Sequence, residues 1–222
     1  MTVLFYAMPT EIVSLVGEDA KPDEVVAGVS FYQIREGLMA CCGGVGKVNA
    51  AMATQVAIDR HFPDLIINVG LAGCFEEVPI GTLVLCENFI QHDVDTTGCG
   101  DPIGMVSTVD MVEFPTSGLP TAKRAMDATG YSYRVGKCAT GDWFGVMGER
   151  AEFIKDTFHP LLCEMEGGAI AQVCHRNRVP FIAIKSVSDC LTSSQNYYFD
   201  YPKALENLND VAIAFVKSLE EV

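Results

Sequence analysis

Short, apolar, β-rich runs alternate with longer stretches of helical spacing along the whole chain, and this alternation restricts the fold more than any other feature. Val3 to Ala7, Asp64 to Val69, Gly81 to Gln91, residues 133–140 and Pro180 to Val187 read as strands. Lys47 to Asp59, residues 121–128, Gly148 to Thr157, Met165 to Arg176 and Pro202 to Leu219 read as helices. A further helix starts at Pro9-Thr10-Glu11, where the missing proline N–H costs nothing. Residues 25–42 read as a hairpin turning near Glu36-Gly37. Strands that alternate with helices pack as a central sheet between two helical layers. The fold class expected is therefore α/β, a three-layer α/β/α arrangement.

No linker, repeat or low-complexity segment interrupts the 222 residues, so one domain over 1–222 is expected. The chain carries 15 basic against 29 acidic residues, a formal charge of −14. That balance opposes binding to nucleic acid, which needs clustered Lys and Arg against phosphates. It opposes an anionic membrane surface for the same reason. No apolar run approaches the length of a membrane span. The first residues lack a basic segment and read as a strand rather than a leader. Nine scattered cysteines, an odd number without a CxxC pair, suit a reducing compartment. A cytoplasmic location is expected.

Ligands of α/β sheets bind beyond the carboxyl ends of the strands. The polar residues following each strand are then the candidates: Glu11, the glycine-bearing loop Gly70 to Gly73, Asp142-Trp143-Phe144 and Ser188-Asp189, with Glu164-Met165-Glu166 opening a helix. Carboxylates and aromatics on one sheet edge would form an acid/base pocket without a metal. Trp143 and Phe144 read equally well as plain core aromatics. Two sharper motifs fail on inspection. Around Gly46-Lys47, a phosphate-binding loop would need glycine where Cys41 stands and Ser or Thr where Val48 stands. A dinucleotide loop would need glycine at Asn49. His92-Asp93-Val94-Asp95 lacks a second His or a Cys at ligand spacing, so it reads as a hydrogen-bonded turn or a subunit contact. His61, His159 and His175 read as surface or capping residues at helix ends.

At these positions the chain resembles the 5′-methylthioadenosine/S-adenosylhomocysteine nucleosidases, within the nucleoside phosphorylase superfamily. The resemblance is carried by Ala7-Met8-Pro9-Thr10-Glu11, Gly44 to Ala51, and Ile67-Asn68-Val69-Gly70-Leu71-Ala72-Gly73. It continues through His92-Asp93-Val94-Asp95, Thr140-Gly141-Asp142-Trp143-Phe144, Glu164-Met165-Glu166-Gly167 and Val187-Ser188-Asp189. The ordered set spans nearly the whole chain.

That resemblance implies a twisted mixed sheet flanked by helices, a homodimer whose partner subunit helps close the site, and a reaction with no cofactor. The reaction is hydrolysis of the N-glycosidic bond of an adenine thionucleoside. By the same resemblance, Asp189 is the acid serving purine N7 and Ser188 holds it, while Glu11 is the base for the attacking water. Glu166 binds the ribose hydroxyls, Met165 packs under the sugar, Phe144 stacks on adenine and Phe199 walls the 5′ group. Glu164, Met8, Val45, Ala72 and Gly73 complete the implied substrate-binding set. The residue types suit the chemistry, because an oxocarbenium-like state needs a protonated leaving group and an activated water. A buried carboxylic acid can stay protonated near neutral pH, and a carboxylate at the ribose stabilises developing positive charge.

Some positions depart from the family pattern. Leu71 stands where a small hydroxyl residue is frequent, and Gly145 where an apolar side chain is usual. The segment Thr96-Thr97-Gly98-Cys99-Gly100-Asp101-Pro102-Ile103 lacks the Phe and Tyr with which relatives wall the neighbouring subunit's 5′ pocket. The adenosine half of the substrate is implied. The 5′ substituent stays open among methylthioadenosine, S-adenosylhomocysteine, 5′-deoxyadenosine and the aminodeoxyfutalosine of menaquinone synthesis. Two rival readings accompany this one: a phosphate-dependent phosphorylase, and a non-catalytic nucleoside-binding or storage protein. Phosphorolysis needs cationic side chains around an anion. The loop after the first strand, Met8-Pro9-Thr10-Glu11, offers a carboxylate instead.

Overall fold

In the computed structural model, residues 1–192 and 199–221 are described. The chain opens with β1 (Thr2–Tyr6), α1 (Pro9–Val16), β2 (Glu24–Val26), β3 (Val29–Arg35), β4 (Leu38–Cys42) and α2 (Lys47–His61). Next come β5 (Leu65–Cys74), β6 (Leu83–Gln91), β7 (Glu113–Pro115), α3 (Leu119–Thr129), β8 (Tyr133–Thr140) and α4 (Glu149–Phe158). The last part holds β9 (Leu162–Glu164), α5 (Gly167–Asn177), β10 (Phe181–Cys190), α6 (Tyr201–Leu205) and α7 (Leu208–Glu221).

The sheet is mixed. β1 lies parallel between β4 and β5, and β10 runs parallel to β5 but antiparallel to β6. From β6 the pairing passes through β8 and β9 back to β5, so five strands close on themselves while β1, β4, β3 and β2 fan outward. The apolar strands drive this arrangement, because a parallel sheet must be covered on both faces. One face packs against Ala50, Ala53 and Ala57 of α2 and Ile170 and Cys174 of α5. The other packs against Ile12 of α1, Met126 of α3 and Val211 and Phe215 of α7. The three-layer α/β/α arrangement expected from the alternation is the one observed. Among the described residues, no helix is long and apolar enough to cross a membrane.

Five local expectations need correction. Gly70 to Gly73 is not a loop, since β5 continues to Cys74. The glycines are there for close approach: a Cβ on Gly70 would lie 3.1 Å from Glu11 Oε1, and one on Gly73 2.9 Å from Asp189 Oδ2. Ser188 and Asp189 belong to β10 instead of following it. The helix expected from Met165 begins at Gly167, and a short strand, β9, precedes it. The closing helix is two helices interrupted at Glu206 and Asn207: α6, whose start Asp200 caps through the Lys203 N–H at 3.0 Å, packs on β10, while α7 runs along α3. Trp143 and Phe144 are not core residues; they are 52% and 69% exposed. The nine cysteines are free thiols, six of them buried.

Candidate active site

The carboxyl ends of β1, β5, β8, β9 and β10 converge on a cavity of about 280 Å³. It is lined by Glu11, Met8, Val45, Ala72, Gly73, Phe144, Glu164, Met165, Glu166, Ser188, Asp189 and Phe199, whereas Gly70 and Asp142, also candidates from the sequence, lie outside the lining. Sequence order scatters these residues over nearly the whole chain, and only the sheet brings them together.

Glu11 sits in the first turn of α1 and folds back on the strand end. Its Oε2 accepts the N–H groups of Ala7 and Met8 at 3.0 and 2.9 Å, and its Oε1 accepts that of Leu71 at 3.2 Å. Asn209 of α7 fixes the same turn, donating to the Glu11 carbonyl at 2.8 Å and accepting from Tyr6 Oη at 2.7 Å. Burial pushes the Glu11 carboxyl above its usual range, while Lys185 and the three backbone donors pull the other way. A carboxylate made more basic in this way suits proton abstraction from water.

Asp189 reaches the cavity through an irregularity in its strand. Val187 pairs with Ala72 and Asp189 with Gly73, so β10 carries one extra residue there. Such a bulge re-aims a side chain, and here both Ser188 and Asp189 line the cavity. Ser188 Oγ donates to Asp189 Oδ1 at 2.6 Å, and both residues are buried.

Glu166 stands at the N-cap position of α5, and its Oε1 accepts the Gly46 N–H at 2.8 Å. Burial pushes its carboxyl up to about 7, with the neighbouring Glu164 charge adding to the rise and Lys185 and the Gly46 N–H opposing it. Glu164, by contrast, is occupied by the protein itself. Its Oε2 accepts from Lys185 Nζ at 2.9 Å and from the N–H groups of Glu166 and Gly167 at 3.0 and 2.7 Å, while Oε1 accepts from Thr140 Oγ1. Burial alone would raise this carboxyl, but Lys185, Thr140 and the Gly167 N–H hold it below the ordinary value. Glu164 therefore anchors the start of α5 from beneath the cavity.

Lys185 is not among the residues that the strand ends select, although a lysine inside the apolar run Phe181 to Val187 is itself a signal. A buried cation needs a partner. Burial disfavours its charge, yet Glu164 and Glu166 hold the ammonium protonated. Tyr201, Leu191, Cys163 and Val146 also line the cavity; apolar and aromatic lining has no signature in a single sequence. At the mouth, Phe144, Phe199 and Tyr201 form an aromatic row with centroid separations of 6.3 and 5.6 Å.

Among the described residues, no three His, Cys, Asp or Glu side chains are placed to hold a metal ion. His92 is buried after β6, and Asp93 is taken up by Lys47 Nζ and the Asp142 N–H. The cavity lining includes four carboxylates and, among the described residues, neither Lys nor Arg. This arrangement suits a neutral ligand that becomes positively charged as it reacts, and it repels an oxyanion.

A mixed sheet closed at one end over a carboxylate-rich, aromatic-rimmed cavity defines a phosphorylase-type protein, and the family model described as the Phosphorylase superfamily matches residues 2–217. Within that class, the 5′-methylthioadenosine/S-adenosylhomocysteine nucleosidase of Shewanella sediminis (strain HAW-EB3) is 36% identical over 202 residues, covering 87% of this chain and 88% of the relative. The enzyme of the same name from Geobacillus thermodenitrificans (strain NG80-2) is 37% identical over 213 residues, covering 87% and 86%. The crystal structure of the Neisseria meningitidis nucleosidase in complex with methylthio-immucillin-A superposes with a TM-score of 0.87 at 31% identity, covering 98% of each chain. The chain belongs to the 5′-methylthioadenosine/S-adenosylhomocysteine nucleosidase family of the phosphorylase superfamily.

Proposed function

We propose that this protein hydrolyses the N-glycosidic bond of a 5′-substituted adenosine, such as methylthioadenosine or S-adenosylhomocysteine, to adenine and the free sugar. The observation that carries this reading is the meeting of the buried Glu11, Glu166 and Asp189 in one cavity lined, among the described residues, by neither Lys nor Arg. Asp189, held by Ser188, gives a proton to purine N7 as the C1′–N9 bond breaks. Glu11 takes a proton from water as the water oxygen bonds to C1′. Glu166 accepts from the ribose hydroxyls and steadies the positive charge that develops on the sugar. Met165 lies under the ring, Phe144 stacks on the base, and Phe199 with Met8 and Val45 bounds the 5′ end. Ala72 and Gly73 keep the floor shallow enough for the base to reach Asp189. The chemistry is complete with carboxylates and water, without a cofactor.

Water is the acceptor in this reading because the lining would repel phosphate. The decisive experiment incubates the protein with a panel of 5′-substituted adenosines, with and without phosphate, and follows free adenine and the sugar product. Adenine release without phosphate is expected. Release that strictly requires phosphate would make the protein a phosphorylase, and nucleoside binding without turnover would make it a binding protein.

The chain forms a single domain, acts as a homodimer and resides in the cytoplasm in this reading. Support for the dimer comes from the exposed apolar side chains Val45, Phe144 and Phe199 at the cavity rim and Val48 and Met52 on α2. Light scattering at micromolar concentration is expected to give twice the chain mass, and a monomer would remove the dimer. Buried free thiols support a reducing compartment.

A further inference from the structure

Asp142 has no part in the reaction proposed above, is exposed, and yet ties three segments together. Its Oδ1 accepts the Lys47 N–H at 2.7 Å, and its own N–H donates to Asp93 Oδ2 at 3.0 Å. Asp93 Oδ1 closes the ring by pairing with Lys47 Nζ at 2.6 Å. The start of α2, the turn after β6 and the turn after β8 are thereby clasped to one another.

The clasp stands directly behind the cavity. Gly46, next to Lys47, is the residue whose N–H meets Glu166 Oε1 at 2.8 Å. It has φ +93°, and a Cβ there would lie 2.9 Å from Asp142 Oδ1, so the close approach requires glycine. α2 has no capping side chain of its own. Its first turn is capped from outside, by Asp142 on Lys47 and by Glu166 on Gly46. On the other side of Asp142, Trp143 and Phe144 continue to the mouth of the cavity. The Arg150 guanidinium sits 4.4 Å over the Trp143 ring and pins that segment a second time.

We propose that Asp142, clasped by Lys47 and Asp93, is a positioning residue that fixes the Glu166 carboxylate through Gly46 and seats the Phe144 segment at the cavity mouth. This rests on the role given to Glu166 above. A cap that served only the stability of α2 would act independently of Glu166, and that difference is measurable.

The probe is 5′-methylthio-7-deazaadenosine, which lacks the N7 to be protonated and so stays intact while its affinity is measured by calorimetry. Asp142→Ala is expected to weaken binding about tenfold, the scale of one lost hydrogen bond to a charged group. Asp142→Asn retains an oxygen to accept from the Lys47 N–H and is expected to recover most of that loss. In a Glu166→Gln background, Asp142→Ala is expected to cost less than about twofold, because its effect passes through the residue already changed. Equal losses in both backgrounds, or an Asp142→Ala affinity equal to wild type, would overturn the proposal. A parallel thermal melt separates unfolding from misplacement; a variant that melts well below wild type is replaced by Asp93→Asn, which opens the same ring from its other side. Adenine release from methylthioadenosine by the wild type tests the hydrolase reading separately. A wild type that binds without releasing adenine removes that reading and leaves the clasp to be judged by affinity. One that does neither overturns both.

Discussion

Lys185 Nζ lies 2.9 Å from Glu164 Oε2, with the two side chains 1% and 2% exposed. This ion pair lies under the cavity, between the strand that delivers Asp189 and the turn that delivers Glu166. Glu164 also takes the first N–H groups of α5, so one carboxylate links the cation of β10 to the helix start. The neighbouring carboxylates Glu11 and Glu166 share the field of the same ammonium.

Removing the cation should therefore cost stability. Lys185→Met is expected to destabilise the protein by about 3–5 kcal/mol, because Glu164 is left as a buried, uncompensated charge. Adding Glu164→Gln should return part of the loss by neutralising that charge. Urea denaturation of the two single variants and the double variant gives the coupling; simple additivity would mean that the pair is not energetically linked.

Glu11→Gln and Asp189→Asn keep the shape of each side chain and remove its acid/base capacity. Each is expected to lower adenine release by about 10²–10⁴-fold with an unchanged circular dichroism spectrum. Wild-type turnover in either variant would take that residue out of the mechanism.

Glu166 gives the pH dependence. Its folded-state value is raised to about 7 from the 4.5 of an ordinary glutamate, so the native state holds a proton that the unfolded chain has already lost between those values. Stability contributed by this group is full below the unfolded value and is lost as pH rises through about 7. Melting temperature should thus fall across that window, and less so in Glu166→Gln. Activity should move the opposite way, because only the ionised form accepts from both ribose hydroxyls. The kcat/KM profile is expected to rise through the same window; a flat profile there would contradict the assignment.

Gly73→Ala tests close packing with a single methyl group. A Cβ at this position would lie 2.7 Å from Leu191 Cδ2 and 2.9 Å from Asp189 Oδ2. Asp189 must shift to admit it, so activity should drop at least about tenfold, as expected when a proton donor leaves hydrogen-bond reach of its acceptor. Binding of adenine and turnover of the nucleoside, measured together, show whether the base still enters.

Much of this architecture was written in local patterns. The apolar runs at 3–7, 64–69 and 180–187 had to be strands because they are short, β-rich and bounded by turn residues. The alanines of α2 and the periodic apolar face of α7 had to be helical. The candidate carboxylates were legible because they follow or end such runs. Glycine misled at Gly70 and Gly73, where the same residue that marks a turn instead admits two carboxylates across a strand. The break between α6 and α7 is hidden as well, because apolar spacing continues through Glu206 and Asn207, where the helix is interrupted.

By itself, the sequence determined the layers, the strand ends and the carboxylates placed there, since these depend on periodicity and on neighbours within a few residues. Tertiary structure alone decided what those carboxylates are. Glu164 and Glu166 stand two residues apart with the same side chain, yet Lys185, Thr140 and two backbone donors hold one ionised beneath the cavity, while burial beside that charge raises the other to about 7. The energy of a charge depends on the groups folded around it, and those groups come from strands and helices far apart in the chain.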